Sequence, residues 1–247
     1  MHLKPGIMLA ALLTMCLAIR AGNSSLLLNS FNSDREGWQA YDYNGGVAGG
    51  GNVFYPLNWE KAGGVNDSGY VWADDSQWRI DTPESPNSIL AFIIYRKWVS
   101  GPAFDLREAE VSVSLRGDVL NLKGATCYFW ALDQEIGTRW HYTSQPLEVT
   151  EGRWGRPLWF RLKNQESLWH RTWARTPSNP ASLDEVLRTC DSYGFSFLNF
   201  SGEVTGKLSM DELGIRLNAV THQCIGSPRP AIGEGTTDLV SVAKLGF

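Results

Sequence analysis

The stretch "GKLSMDELGIRL" (206–217) decides the fold class, because its last apolar residues recur at every second position. Leu213, Ile215 and Leu217 alternate with small or polar residues, which is the pattern of a β-strand with one buried face. The acidic pair Asp211 and Glu212 precedes them, although acidic residues are depleted in strands. The sequence therefore predicts a strand that begins at a carboxylate pair, and the pair needs an explanation of its own.

Strand-like runs also dominate the rest of the chain, and Gly, Pro, Asn and Asp clusters separate them. Two runs carry apolar residues on both faces, which predicts strands that are covered on both sides. The runs are "AFIIYRKW" (91–98), "EVSVSLRG" (110–117), "ATCYFWAL" (125–132), "LWFRLK" (158–163) and "FSFLNF" (195–200). Short strands with few helices predict an all-β fold, an antiparallel β-sandwich or jelly roll.

One short connecting helix is predicted within the segment "SLDEVLRTC" (182–190). Ser182 and Glu185 stand three residues apart, which is the spacing of a capping box. Leu183, Val186 and Leu187 then share one face, so we expect this helix to lie over one end of the sheets.

The N-terminal segment predicts a secreted or periplasmic protein. Residues 1–22 have a weakly basic start, the apolar run "IMLAALLTMCLAI" and small residues at the end, which is typical of a signal peptide. We expect a β-sandwich domain over 23–222 and a loosely structured tail over 223–247. No later run approaches the roughly 20 apolar residues of a membrane span, so none is expected after signal cleavage.

The net charge and the cysteine positions indicate which partners, disulfides and metal ions are expected. The net charge is −4, and no Lys/Arg cluster could follow a phosphate backbone, so a nucleic acid is not expected. In an oxidising compartment Cys190 and Cys224 could form a disulfide, which leaves Cys127 as a buried thiol in an apolar strand. No Cys/His spacing indicates zinc.

Several short motifs together resemble a known family. They are an early "F…GW" ending at Trp38, the "LRG" of 115–117, the "GxW" ending at Trp154, a short helix, and a closing "GxLxxDExxI" from Gly206 to Ile215. This set is similar to the laminin B-type domain and, more broadly, to the galactose-binding-like jelly rolls that include many carbohydrate-binding modules. The resemblance covers roughly residues 26–218 and implies a β-sandwich with a binding function.

The resemblance also implies a structural Ca²⁺ ion between the first and last strands. It suggests Asp211 as one ligand, with Asp34 or the side-chain oxygen of Asn32 opposite. Carboxylate and amide oxygens are suitable ligands for Ca²⁺. The alternative is that Asp211 and Glu212 are solvated edge charges that discourage pairing between molecules.

Eleven tryptophans are an unusual number for 247 residues, and they supply the predicted ligand contacts. Sugars stack their C–H faces on flat rings, and an aromatic ring with one polar atom suits such a half-wet surface. Strand patterns place Trp98, Trp130 and Trp159 in the core. The predicted ligand-binding residues follow turns or lie in polar loops, and they are Trp59, Trp72, Trp78, Trp140, Trp169 and Trp173.

The leading hypothesis is a secreted, non-catalytic binding module for a glycan or an extracellular matrix component. A polysaccharide-degrading, lyase-like enzyme is the first alternative, since His141, Tyr142 and His170 are of the residue types that such an enzyme uses as base and neutraliser. Their spacing fits no motif, and neither GxSxG nor HExxH occurs. A structural envelope protein is the second alternative.

Overall fold

A computed structural model describes residues 25–42, 53–78 and 88–218. Within these ranges the chain forms fourteen β-strands, numbered β1 to β14, and a single α-helix. The strands form two seven-stranded sheets. The predicted all-β sandwich with one short connecting helix is confirmed, and all six strand-like runs of the sequence contain a strand.

The first sheet, called sheet 1, contains the opening and closing strands of the described chain. Its strands are β1 (Ser25–Asn29), β4 (Asn58–Glu60), β5 (Tyr70–Asp74), β7 (Glu110–Asn121), β10 (Thr150–Glu151), β11 (Leu158–Arg161) and β14 (Thr205–Leu217). The order is β10-β7-β14-β5-β4, with β1 paired to β14 and β11 paired to β7. Of the described pairings in this sheet, only β10 with β7 is parallel.

The second sheet, called sheet 2, is built from the middle strands. They are β2 (Gln39–Asp42), β3 (Val53–Pro56), β6 (Ser88–Tyr95), β8 (Thr126–Asp133), β9 (Thr138–His141), β12 (His170–Ala174) and β13 (Ser192–Leu198). Their order is β12-β9-β8-β13-β6-β2-β3, and each pairing in the described part of this sheet is antiparallel.

The main core lies between the two sheets. Val111 and Val113 of β7 face it from sheet 1, while Phe129 of β8 and Phe195 of β13 face it from sheet 2. Successive strand residues point to opposite faces, so each strand also has a side that points away from this core. These two outer faces differ strongly, and they carry the candidate sites.

The helix α1 (Leu183–Arg188) packs against β8 and β9. Its capping box is confirmed, because Ser182 N–H donates to Glu185 Oε2 at 2.8 Å and Glu185 N–H donates back to Ser182 Oγ at 3.3 Å. It buries Leu183, Val186 and Leu187, as the sequence predicts. Short 3-10 helices are formed by Val65–Asp67, Arg96–Val99 and Glu166–Leu168.

The acidic pair lies in the middle of β14 and does not open it, which corrects the expectation from the sequence. The pairing with β7 shifts between Asp211 and Gly214, and Glu212 adopts a positive φ of 50°, so the pair forms a β-bulge. Residues 207–210 pair with β5, whereas residues 213–217 pair with β1. The bulge therefore marks the point at which β14 changes its neighbour.

Three predictions involve segments outside the described residues. They are the signal peptide at 1–22, the tail at 223–247 and the pairing of Cys190 with Cys224, since Cys224 is not described. Among the described residues, no helix is long and apolar enough to cross a membrane.

Candidate functional site

Three of the six predicted ligand-binding tryptophans are buried inside the protein. Trp78 is fully buried and donates its indole N–H to Val204 O at 3.1 Å, and Trp169 donates to Lys163 O at 2.8 Å. Trp140 lies on β9 and is also buried. Burial removes Trp78, Trp140 and Trp169 from the candidate ligand contacts, because a sugar can stack only on an accessible ring.

The other three are half-buried and lie on different surfaces. Trp59 donates its indole N–H to Phe31 O at 2.6 Å. Trp72 points outward from sheet 1, where its N–H donates to Glu60 Oε1 and Lys207 Nζ lies 5.1 Å from its ring centre. Trp173 packs against apolar residues on the outer face of sheet 2. The predicted set therefore does not form one site.

Asp211, the predicted calcium ligand, already has protein donors at both carboxylate oxygens. Oδ2 accepts from Val65 N–H at 2.7 Å and from Ser68 Oγ at 2.6 Å, and Oδ1 accepts from Glu212 N–H at 2.7 Å. Three hydrogen-bond donors of the protein therefore already contact the carboxylate that the resemblance suggested as a Ca²⁺ ligand. Its burial raises the pKa of the carboxyl, and the three hydrogen bonds oppose that change.

The two proposed partners of that metal lie in the turn between β1 and β2. Asn32 Oδ1 accepts from Gly69 N–H at 3.4 Å, and Asp34 Oδ1 accepts from Glu36 N–H at 2.6 Å. No group of three or more His, Cys, Asp and Glu side chains among the described residues is arranged to hold a metal ion. Calcium binding remains an untested prediction.

The alternative catalytic residues are only partly brought together. His141 and His170 are direct cross-strand partners on β9 and β12. Tyr142 points to the opposite side, where its ring packs against Trp169 and its hydroxyl donates to Arg161 O at 2.9 Å. His141 and Tyr142 therefore cannot reach one substrate from the same face.

His141 belongs to a buried polar network on the outer face of sheet 2. Its Nδ1 lies 2.8 Å from Thr172 Oγ1, and its Nε2 lies 2.5 Å from Ser196 Oγ. Arg139 Nε donates to the same Thr172 oxygen at 3.2 Å, and its Nη2 donates to Ser88 Oγ at 2.9 Å. Thr172 Oγ1 and Ser196 Oγ thus each hydrogen-bond one ring nitrogen of His141.

This network holds His141 neutral and leaves neither ring nitrogen open for a substrate. Burial lowers the pKa of His141 well below 6.5, and the charges of Arg139 and His170 lower it further. A buried polar network of this kind is stable only when its members are satisfied. We infer that this network holds the strands in register and so stabilises the apolar residues beside it.

A second apolar cluster lies on the same outer face of sheet 2. Leu90, Ile93, Trp130 and Leu132 are buried there, separately from the main core. Antiparallel sheets often present a polar face to water, whereas here side chains of the chain itself, among them Tyr41, Phe54 and Trp173, pack over the apolar cluster. The continuous apolar run at 91–95 and the outward Trp130 are the sequence signals of this surface.

Four half-exposed rings lie at one edge of this face, and we call them the aromatic cluster: Tyr41, Phe54, Tyr95 and Trp98. The ring centre of Phe54 lies 4.5 Å from Tyr41, 5.6 Å from Tyr95 and 5.1 Å from Trp98. Tyr95 and Trp98 lie 4.3 Å apart. Sequence analysis missed this cluster, because its members come from β2, β3, β6 and the 3-10 helix after β6.

A groove of about 520 Å³, called the polar groove, continues from Trp98. Asp34, Glu36, Asn29 and Arg96 supply its polar groups. The Glu36 carboxylate is held by Asn29 Nδ2 at 2.6 Å and by Phe31 N–H at 2.7 Å. Oδ2 of Asp34 has no hydrogen-bond partner within the described ranges, so it remains available to a ligand.

Two cysteines are buried elsewhere in the sandwich. Cys127 lies on β8, and Cys190 lies just after α1 with its Sγ donating to Ser192 O at 3.2 Å. Burial raises the pKa of both thiols to about 12.

Comparison with known proteins yields structural matches only, since no protein-family model and no curated protein matches the chain. The chain is similar to a family 11 carbohydrate-binding module from Clostridium thermocellum solved with a β-1,3-1,4-mixed-linked tetrasaccharide (10% identity, TM-score 0.38, 78% of this chain and 88% of that chain). It is also similar to the L4b domain of human laminin alpha-2 (5% identity, TM-score 0.40, 78% and 97%).

A third similar structure contains the CBM22-1 and GH10 modules of the Clostridium thermocellum endo-1,4-β-D-xylanase 10B with xylohexaose (11% identity, TM-score 0.37, 79% of this chain and 28% of that chain). Carbohydrate-binding modules and laminin domains, the two groups that the sequence motifs resemble, thus both occur among these structures. The likeness extends to the fold class, which the strand pairing of this chain establishes directly.

Proposed function

We propose that this protein is a secreted, non-catalytic glycan-binding module whose ligand lies on the aromatic cluster and in the polar groove. One observation carries the proposal: four half-exposed rings in mutual contact border a groove with two carboxylates, an amide and a guanidinium. A glycan needs flat rings for its C–H faces and polar groups for its hydroxyls.

The ring that joins the two halves is Trp98. It contacts Phe54 and Tyr95 on the cluster side and also lines the groove beside Arg96. Arg96 is held by Pro102 O at 3.3 Å and lies 5.2 Å from the Phe104 ring centre, so its position is set before any ligand arrives. Such preorganisation favours affinity, since less side-chain freedom is lost on binding.

The turn on the opposite wall of the groove is also preorganised. Glu36 and Gly37 both adopt positive φ values, 49° and 81°. A Cβ atom at Gly37 would lie 2.5 Å from Val99 Cγ1, so only glycine allows the turn to approach the Arg96–Val99 helix this closely. The close approach fixes the width of the groove between Glu36 and Trp98.

The proposed ligand is a neutral oligosaccharide, because the groove contains carboxylates that would repel an anionic sugar. Secretion enters the proposal through the predicted signal peptide at 1–22. An extracellular matrix component would bind through its glycan, because the aromatic cluster supplies rings and the polar groove supplies polar groups of the kind that a sugar needs.

The test compares two single tryptophan variants by isothermal titration calorimetry. Probes are a β-1,3-1,4-mixed-linked tetrasaccharide and xylohexaose, the sugars in two of the similar structures, together with a panel of other neutral oligosaccharides. We expect Trp98→Ala to weaken binding at least tenfold, because the stacking of the sugar on the Trp98 ring and one wall of the polar groove are both lost. The matched control Trp159→Ala removes an exposed ring from the other sheet and should leave affinity unchanged.

Thermal melting of both variants shows whether they are folded, and release of reducing sugar is measured in parallel. Binding that survives Trp98→Ala, or that is lost equally in both variants, would show that the ligand lies elsewhere. Sugar release by the wild type that disappears in His141→Gln would establish the enzyme alternative instead.

A further inference from the structure

A second concave surface lies beside sheet 1, away from the aromatic cluster, and we call it the arginine pocket. It is a cavity of about 460 Å³ between β10 and β11. It is lined by Glu148, Thr150, Arg153, Trp154, Gly155, Arg156, Pro157 and Leu158. Nothing in the proposed neutral-glycan site uses these residues.

Trp154 is the rigid part of this pocket. Its indole N–H donates to Gly63 O at 2.8 Å, and the edge of Tyr70 packs against it with ring centres 5.4 Å apart. The guanidinium of Arg116 lies 4.7 Å from the centre of the Trp154 ring. These three contacts hold the ring in place, although Trp154 is only half-buried.

The backbone around Trp154 is equally constrained. A Cβ atom at Gly155 would lie 2.7 Å from Thr150 Oγ1, so this glycine allows the loop to pass close to β10. Arg156 precedes Pro157, which restricts Arg156 to an extended backbone. The two arginines are therefore presented from a defined loop.

Arg153 and Arg156 are exposed, and neither forms a hydrogen bond or ion pair with any residue of the described ranges. The nearby Glu151 carboxylate forms its hydrogen bonds with the backbone instead, accepting from Val119 N–H at 2.6 Å and from Leu120 N–H at 3.4 Å. Glu148 adds one carboxylate to the lining. The pocket thus offers two guanidiniums whose hydrogen bonds are unused.

The strand after this loop, β11, adds an exposed tryptophan and another exposed arginine. Trp159 points away from the core and is 66% exposed, and Arg161 beside it is also exposed. Arg161 forms an ion pair with Glu108 at 3.2 Å. Arginine and tryptophan thus alternate over 153–161, in a chain whose net charge is −4.

From this arrangement we infer a second binding site, in which Arg153 and Arg156 hold a sulfate or carboxylate group of an anionic polysaccharide and Trp154 and Trp159 contact its sugar rings. A guanidinium matches the planar geometry of carboxylate and sulfate with two parallel hydrogen bonds. Aromatic rings beside the charges favour a sugar over a bare anion. The site is independent of the neutral-glycan site on sheet 2.

The experiment measures binding of the full chain to heparin and to polygalacturonate by surface plasmon resonance over a range of salt concentrations. The double variant Arg153→Gln/Arg156→Gln should lose at least tenfold in affinity for the polysaccharide that binds. The control Lys123→Gln/Arg188→Gln removes the same charge from exposed positions elsewhere and should change affinity less than twofold. Tighter binding of heparin would assign the recognised group as sulfate, and tighter binding of polygalacturonate would assign it as carboxylate.

Failure of both polysaccharides to bind would overturn the inference, and so would an equal loss in the control, which would show that general charge is responsible. Equal binding of single-stranded DNA of the same charge density would also overturn it. Trp98→Ala separates the two sites, since it should abolish neutral-glycan binding and leave the anionic polysaccharide bound. Loss of the sheet 2 proposal alone would therefore leave this inference intact.

Discussion

Trp130 on β8 and Trp159 on β11 both point away from the core between the sheets, yet Trp130 is fully buried and Trp159 is 66% exposed. On sheet 2 the outer face carries a second apolar cluster and a buried polar network around Arg139 and His141. On sheet 1 the corresponding face has a cross-strand row over four strands, with the exposed Trp159 at one end and Leu28, 67% exposed, at the other.

The difference teaches that the two faces use their tryptophans for different purposes. Ser112 and Gly214 lie between Trp159 and Leu28, so small residues form the floor of that row and the ring stays accessible. On sheet 2 large residues fill the same kind of position and exclude water. A ring on sheet 1 is therefore available for binding, whereas Trp130 on sheet 2 stabilises the platform beneath a binding edge.

The largest expected effect separates these two rings. Trp130→Ala should lower the free energy of unfolding by about 4 kcal/mol, because a fully buried aromatic side chain is removed. Trp159→Ala should change it by no more than about 0.5 kcal/mol, since the ring is exposed. Urea denaturation of both variants measures the contrast, and similar losses would mean that the outer face of sheet 1 is packed like that of sheet 2.

On sheet 1 the largest loss should come from Asp211. Asp211→Ala leaves the N–H groups of Val65 and Glu212 without their acceptor, although the Ser68 hydroxyl can still donate to Val65 O, and this should cost about 2 to 3 kcal/mol of unfolding free energy. Asp211→Asn retains one acceptor oxygen and should cost clearly less. If both substitutions were neutral in urea denaturation, the carboxylate would not hold the loop before β5 to the bulge of β14.

The two faces should also respond to pH in opposite ways. His141 has a pKa lowered well below 6.5, so its contribution to stability is complete above pH 6.5 and is lost at up to about 1.4 kcal/mol per pH unit below it. The pKa of Asp211 is raised above 3.8, so its contribution is lost as the pH rises through that range.

Chemical denaturation between pH 7.5 and 5 measures the histidine effect, and His141→Gln should flatten the profile. His170 is exposed and serves as the comparison, since His170→Gln removes only the smallest of the three causes that lower the pKa of His141 and should change the slope much less than His141→Gln does. A wild-type profile without any slope below pH 6.5 would mean that His141 is protonated in the folded protein.

The smallest expected effect concerns calcium. Because protein donors satisfy both oxygens of Asp211, we expect the melting temperature to be equal in Ca²⁺ and in chelator. A site occupied at 100 times its dissociation constant would instead stabilise the protein by about 2.7 kcal/mol. A rise of that size, lost in Asp34→Ala, would restore the calcium site at the β1–β2 turn.

The sequence predicts the sandwich well because alternation reports which face of a strand is buried. It also contained the signal for Trp159: Leu158, Phe160 and Leu162 are partly or fully buried, so the residues between them must point outward. Placing Trp159 in the core treated the whole run as apolar and ignored its period of two.

The candidate site could not be predicted, because it depends on pairings between distant strands. Tyr41 and Phe54 meet only through the register of β2 with β3, and Trp98 joins them from the helix after β6. Polar neighbours in the sequence suggested loops for Trp140 and Trp169, yet tertiary packing buries both. The acidic pair in a strand was a signal of a bulge, but its hydrogen bonds to residues 65–68 come from the fold.

The buried thiols of Cys127 and Cys190 have a practical consequence. Only a thiolate reacts with an alkylating reagent, and a pKa of about 12 leaves almost none at pH 8 while the fold is closed. Peptide-resolved alkylation then times the opening of each region without any engineered label. Cys190 would report on the end of the helix and Cys127 on the centre of sheet 2, so their relative rates would reveal which part of the molecule opens first.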